Sequence, residues 1–239
     1  MSSITEQISS SIDTLTRELD IIAHNLANTS TVGYKRRCNT FSKSLEKQQG
    51  LSSDNGDSTS SLDFSQGNTV ETGRPLDLAL YGKGFLMIET PDGPLYTRNG
   101  VLHVNQNSQI VDSLGRIVAG QSGPIVIPRN VGISQLSVSS EGTISANGTA
   151  IGTLNVVTFE DESRLVAVGD NCYRTSTGEA TPIAAENIVV KQGYQEASNV
   201  KVIDELVGMI LVSRLYEANI KTISALKQTS SSLTSLAMG

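Results

Sequence analysis

Apolar residues near the start of the chain fall at Ile4, Ile8, Ile12, Leu15, Leu19, Ile22 and Leu26, at spacings of 4, 4, 3, 4, 3 and 4. Such a stripe is one face of an α-helix, close to the seam of a coiled coil. It stops at Asn28-Thr29-Ser30-Thr31-Val32-Gly33, where Gly33 reads as a helix stop with positive φ. A second stripe closes the chain: Val202, Leu206, Met209, Ser213, Tyr216, Ile220 and Ile223, at spacings of 4, 3, 4, 3, 4 and 3. Ser198-Asn199 read as its N-cap, with Asp204 and Glu205 in the first turns.

Between the stripes the period changes. Short apolar runs occur at Gly84–Glu89, Leu95–Arg98, Leu102–Val104, Gln109–Asp112, Ile117–Ala119, Ile125–Ile127, Leu136–Val138, Thr143–Ser145, Leu154–Glu160 and Ile188–Gln192. Turn residues punctuate them, among them Pro91-Asp92-Gly93, Asn99-Gly100, Glu141-Gly142 and Asn147-Gly148. This is the pattern of a β domain built from hairpins. The predicted fold is therefore α+β: N- and C-terminal helices pairing as a coiled coil, with a central all-β domain. The expected divisions are 1–46 for the N-terminal helix and joint, 47–61 for a flexible Ser/Asp/Gly linker, 62–198 for the β domain and 199–239 for the C-terminal helix.

One amphipathic helix cannot hide its apolar face alone, whereas two can pair. Their polar positions are mostly Ser, Thr, Asn and small residues, which suits close packing against neighbouring copies. The alternative is two ordinary helices lying on the β domain.

Composition narrows the function. The net charge of −6 argues against nucleic acid as a partner, since phosphate binding needs a basic face. Lys35-Arg36-Arg37 is the one basic run, and it reads as a solvated loop. No apolar stretch is long enough for a membrane span, and the first residues lack the basic start and apolar run of a cleaved leader. Cys38 and Cys172 lack metal-ligand spacing, and whether they pair is left open. His24 and His103 have no nucleophile or ligand beside them in sequence. Tyr81-Gly82-Lys83-Gly84 lacks the spacing of a phosphate loop. No catalytic, cofactor or metal site is expected. The polar residues Asn25, Asn28 and Thr29 read as side chains that bond backbone and fix the turn after the first helix.

The segment Asp20-Ile21-Ile22-Ala23-His24-Asn25-Leu26-Ala27-Asn28-Thr29-Ser30-Thr31-Val32-Gly33-Tyr34-Lys35 resembles the N-terminal signature of bacterial flagellar rod and hook proteins, with His24 where the family usually has Asn. Phe64-Ser65-Gln66-Gly67, Thr72-Gly73-Arg74-Pro75-Leu76-Asp77 and Tyr96-Thr97-Arg98-Asn99-Gly100 are similar to landmarks of that family's β domain. Gln192–Val200, Glu205–Ile210 and Arg214–Asn219 are similar to its C-terminal motif. The resemblance spans nearly the whole chain.

It implies a structural subunit of the flagellar basal-body rod, in the periplasm, exported unfolded by the flagellar type III apparatus. The partners it implies are other copies, neighbouring rod or hook proteins, and the export apparatus. The terminal helices would form the inner wall of a tube, with the β domain outside. The family-motif joint then comprises Asn25, Leu26, Ala27, Asn28, Gly33 and Tyr34. Thr72–Asp77 leans towards proximal-rod members, while Gly169-Asp170-Asn171 and Arg214–Glu217 fit distal-rod members; the proximal type is favoured. Two other classes compete with this reading, a non-flagellar β-domain binding module and an envelope enzyme.

Overall fold

A computed structural model of the chain describes residues 2–38, 61–175, 181–185 and 188–238. Except for Ser61, the expected linker lies outside these residues. The described residues form an α+β fold in two compact units. One contains both helices together with Arg37–Cys38; the other contains Asn28–Arg36 and Leu62–Val200.

Helix α1 spans Ser2–Ala27 and helix α2 spans Val202–Met238. Neither contains Pro, and Gly208 is the one glycine within them, so nothing breaks the backbone ladder. They run antiparallel. Asn219 Nδ2 donates to Ser11 Oγ at 3.1 Å, while Gly208 lies against Ile22. Leu15, Ile22 and Val212 are buried between them, with Leu19, Leu26, Met209 and Tyr216 packed alongside. Each Leu or Ile side chain buried in this way contributes about 1.5–3 kcal/mol.

The β unit is antiparallel throughout its paired strands. Its largest sheet follows the order Leu165–Gly169, Cys172–Thr175, Leu95–Thr97, Phe85–Glu89, Ile117–Val118, Ile110–Val111 and His103–Val104. Val156–Thr158 also pairs with Phe85–Glu89 and carries Ile183–Ala184 on its other side. Leu136–Val138, Thr143–Ala146 and Thr149–Thr153 form a separate meander. Its second turn is Asn147-Gly148, with φ of 50° and 80°, the left-handed pair that a tight hairpin requires. Two further ladders join Leu78–Tyr81 to Val189–Gln192 and Thr69–Glu71 to Tyr194–Glu196.

Two cores hold this unit. Aliphatic side chains such as Leu78, Leu86, Leu102, Ile110, Ile144 and Leu154 fill the first. The second is aromatic: Tyr96 meets Phe159 edge to face at 4.8 Å between ring centroids, and Phe64 meets Tyr173 at 5.1 Å.

The segment Ile125–Ile127 forms no strand. Pro124 and Pro128 flank it and remove donors, so it makes a single bridge from Val126 to Gln109. Its alternation survives all the same: Ile125 and Ile127 are buried and Val126 is exposed.

Candidate assembly helices and the signature joint

On α1, Leu15 and Ile22 are buried, while Ile8, Ile12, Leu19 and Leu26 are half-buried. Ile4 is helical. On α2 the seam is rotated from the expected stripe. Glu205, Met209, Val212, Tyr216, Asn219, Ile223 and Leu226 are the buried or half-buried series, still at spacings of 4, 3, 4, 3, 4 and 3. Met209, Tyr216 and Ile223 belong to both series, whereas Val202, Leu206 and Ile220 are exposed.

The cause lies in the sequence. The first turns of α2 are apolar nearly all round, and α1 covers one stripe of several. The rest is open: Ile203 is 75% exposed, Val207 51% and Ile210 61%, with Leu211 and Leu215 also exposed. A helix apolar on every side is suited to being surrounded.

The family-motif residues divide between the two units. In the helical unit, Asn25 is fully buried and bonds the backbone of Arg37 at both ends of its amide. Its Nδ2 donates to Arg37 O at 2.9 Å, and Arg37 N donates to its Oδ1 at 2.9 Å. A single amide here does the work of a strand pair, which fixes where the chain returns to the helix. Leu26 packs in the helical seam, and Ala27 ends α1.

In the β unit, Asn28 Oδ1 accepts from Thr31 Oγ1 at 3.0 Å, and Asn28 O from Thr31 N at 3.2 Å, making a turn. Gly33 follows with φ +70°, six residues past the end of α1. Its role is therefore close approach rather than a helix stop. A Cβ there would sit 2.6 Å from Asn99 N and 2.7 Å from the Arg98 carbonyl carbon. Tyr34 is buried.

Lys35 overturns the solvated-loop reading. It is 1% exposed, and its Nζ donates to Glu196 Oε1 at 2.7 Å and to Ser65 O at 2.6 Å. Gly67 N also donates to Oε1, at 3.0 Å. On the other carboxylate oxygen, Arg98 Nε and Nη2 each lie 2.9 Å from Oε2. The remaining Arg98 donors go to backbone carbonyls: Nη1 to Gly82 and Gly84, Nη2 to Leu80. One buried carboxylate thus faces two buried cations. Burial holds the Lys35 ammonium below its ordinary range, and the opposing attraction of Glu196 only partly restores it.

Asn199 serves the same place. Its Oδ1 accepts from Arg36 N at 2.7 Å, and its Nδ2 donates to Asp63 O at 2.8 Å and to Ser65 O at 3.1 Å. The expectation that Asn199 caps α2 is therefore replaced, because its amide is spent on the β unit. Asn171 Nδ2 donates to Val32 O at 3.0 Å. In the sequence Arg98 and Glu196 fall inside family motifs with no role of their own, and Asn199 reads only as a helix cap. A lone charge within an otherwise apolar or Gly-rich motif was the available signal.

Both cysteines are buried thiols, and burial pushes Cys172 up from its usual pKa. His24 and His103 are exposed; Arg74 Nη2 lies 3.1 Å from His103 Nδ1. Among the described residues, no group of three or more His, Cys, Asp or Glu is placed to hold a metal ion. No described helix is long and apolar enough to cross a membrane.

Comparison with known proteins places these features in a family. Residues 13–35 match the family model described as flagella basal body rod protein. Residues 79–146 match the flagellar hook protein FlgE/F/G D1 domain, and residues 191–236 match the flagellar basal body rod FlgEFG protein C-terminal region. Among the similar proteins is the flagellar basal-body rod protein FlgG of Buchnera aphidicola subsp. Acyrthosiphon pisum, 33% identical over 91% of this chain and 93% of the relative. The FlgG of Bacillus subtilis is 33% identical over 87% of this chain and 88% of its own. The FlgF of Caulobacter vibrioides is 32% identical over 86% of this chain and 85% of its own.

Proposed function

Because the chain belongs to the flagellar basal-body rod protein family, we propose that it is a structural subunit of the bacterial flagellar rod, polymerised into the axial drive shaft. Its place is the basal body, and its work is mechanical rather than catalytic. The observation that carries this reading is the open apolar surface of α2 at Ile203, Val207, Ile210 and Leu211, beside a seam that α1 already fills. Burying that surface is favourable at about 25 cal/mol per Å². Copies of the chain and neighbouring rod or hook proteins are the partners that would cover it.

Export through the flagellar type III apparatus fits a chain whose C-terminal helix still carries a wide open apolar surface before assembly. Relatives named FlgF and FlgG match over similar spans, and the proximal position stays our preference on Thr72–Asp77. Electron cryomicroscopy of isolated basal bodies tests the assignment by the rod height at which the chain's density sits. Deleting residues 2–27 or 202–238 is expected to leave the β unit folded and to abolish assembly. Tubes formed by both truncated chains would sink the reading.

A further inference from the structure

The first segment of the β unit, which follows α1, and its last, which precedes α2, are tied to each other, although Arg37–Cys38 and Ser61 between them belong to the helical unit. Gly33 N donates to Glu196 O at 2.7 Å, and Asn199 N to Tyr34 O at 3.4 Å. Arg36 N donates to Asn199 Oδ1 at 2.7 Å, and Lys35 Nζ to Glu196 Oε1 at 2.7 Å. Each tie joins residues 33–36 to residues 196–199. Two anchors fix the pair to the unit: Arg98 holds Glu196 while gripping the carbonyls of Leu80, Gly82 and Gly84, and Asn199 reaches Asp63 and Ser65.

We propose that these two segments form a mechanical clasp, through which load entering at residue 28 and leaving at residue 200 passes without pulling on the rest of the sheets. The ties link the two ends of the unit directly, so a force applied to those ends is taken up at the end of the Tyr194–Glu196 strand before it reaches the other strands. The ion pair makes the clasp hard to open. Separating Lys35 from Glu196 strands the Lys35 ammonium without a partner before water reaches it, while Arg98 still balances the carboxylate, and this raises the barrier even where the net stability of the pair is small. Forced opening is governed by that barrier. The proposal rests on the rod reading only for the source of the load, since a turning shaft passes torque from subunit to subunit.

The test is single-molecule pulling on the full chain, with click-chemistry handles placed at Ser30 and Lys201, both exposed. In the native chain the first event is opening of the clasp, followed by separate unfolding of the sheets. In Lys35→Met the first event at fixed force speeds up about tenfold or more, the factor that 1.36 kcal/mol off a barrier gives, and the later event is unchanged. Asn199→Ala removes ties without removing a charge and is expected to act in the same direction, so the reading survives a Lys35 variant that fails to fold. Sheets that yield before or together with the clasp in the native chain overturn the proposal. So does a first event equally slow in every folded variant. Either failure leaves the rod assignment standing, because incorporation into rods is not what the assay reads.

Discussion

Gly33 and Lys35 sit two positions apart in one motif and answer to different physics. Gly33 combines φ +70° with a backbone neighbour where its Cβ would be. Strain at such a position costs about 1–3 kcal/mol before the clash is counted. Gly33→Ala should therefore lower the urea midpoint of the β unit, with a loss of at least about 2 kcal/mol. The three buried charges are unequal. Removing the Glu196 carboxylate in Glu196→Gln leaves two cations facing each other, and stranding a buried charge costs about 3–5 kcal/mol. Removing Lys35 in Lys35→Met leaves Arg98 opposite Glu196, a neutral pair, and the loss should be under about 1 kcal/mol, within the range where apolar replacement of buried ions is near neutral. Equilibrium urea unfolding of the two variants reads this order, and equal losses would refute it. The pH dependence has a definite sign. Lys35 titrates in the folded chain below its ordinary 10.5. Between the folded value and 10.5 the unfolded chain holds more protons, so stability rises with pH across that window. The native chain should gain stability relative to Lys35→Met as pH rises there, measured by urea titrations at a series of alkaline pH values.

The helices show how far periodicity reaches. Spacing of 3 and 4 is visible in the sequence for both, and both form. The face that α2 turns to α1 was a different matter, because Val202, Leu206 and Ile220 compete with Glu205, Val212 and Asn219 at the same spacing. A stripe one residue over has the same period, so only the partner decides between them. Buried and open positions on α2 should accordingly behave differently. Val212→Ala opens a cavity in the helical seam and should cost the helical unit about 1–3 kcal/mol of stability, read as a lower melting temperature. Val207→Asp or Ile210→Asp should leave the monomer's circular-dichroism melt within about 0.5 kcal/mol, as exposed substitutions do, and should block assembly as read by sedimentation.

At the scale of the whole chain, the signature motif is divided. Residues up to Ala27 belong with the helices, and Asn28–Arg36 belong with the β unit. The expected division at residue 46 follows composition, whereas the compact units follow contacts made by Gly33, Lys35 and Asn25. No local property of residues 28–36 announces that change of allegiance. The same holds for Ile125–Ile127, whose alternation looked like a strand until its flanking prolines left it one bridge.

Local patterns determined a great deal. Period 3.6 at both ends and short runs between Gly- and Asn-rich turns were enough for an α+β chain with a central β domain, because periodicity and turn chemistry act within a few residues. The motif strings, read as a resemblance, were enough for the family. Tertiary structure alone decided which stripe of α2 is covered, where Lys35 goes and why Glu196 matters. Those are pairings across 161 positions between Lys35 and Glu196, and across 208 between Ser11 and Asn219. A charge in a sequence looks the same whether it will meet water or another charge, and only the folded chain brings the partner.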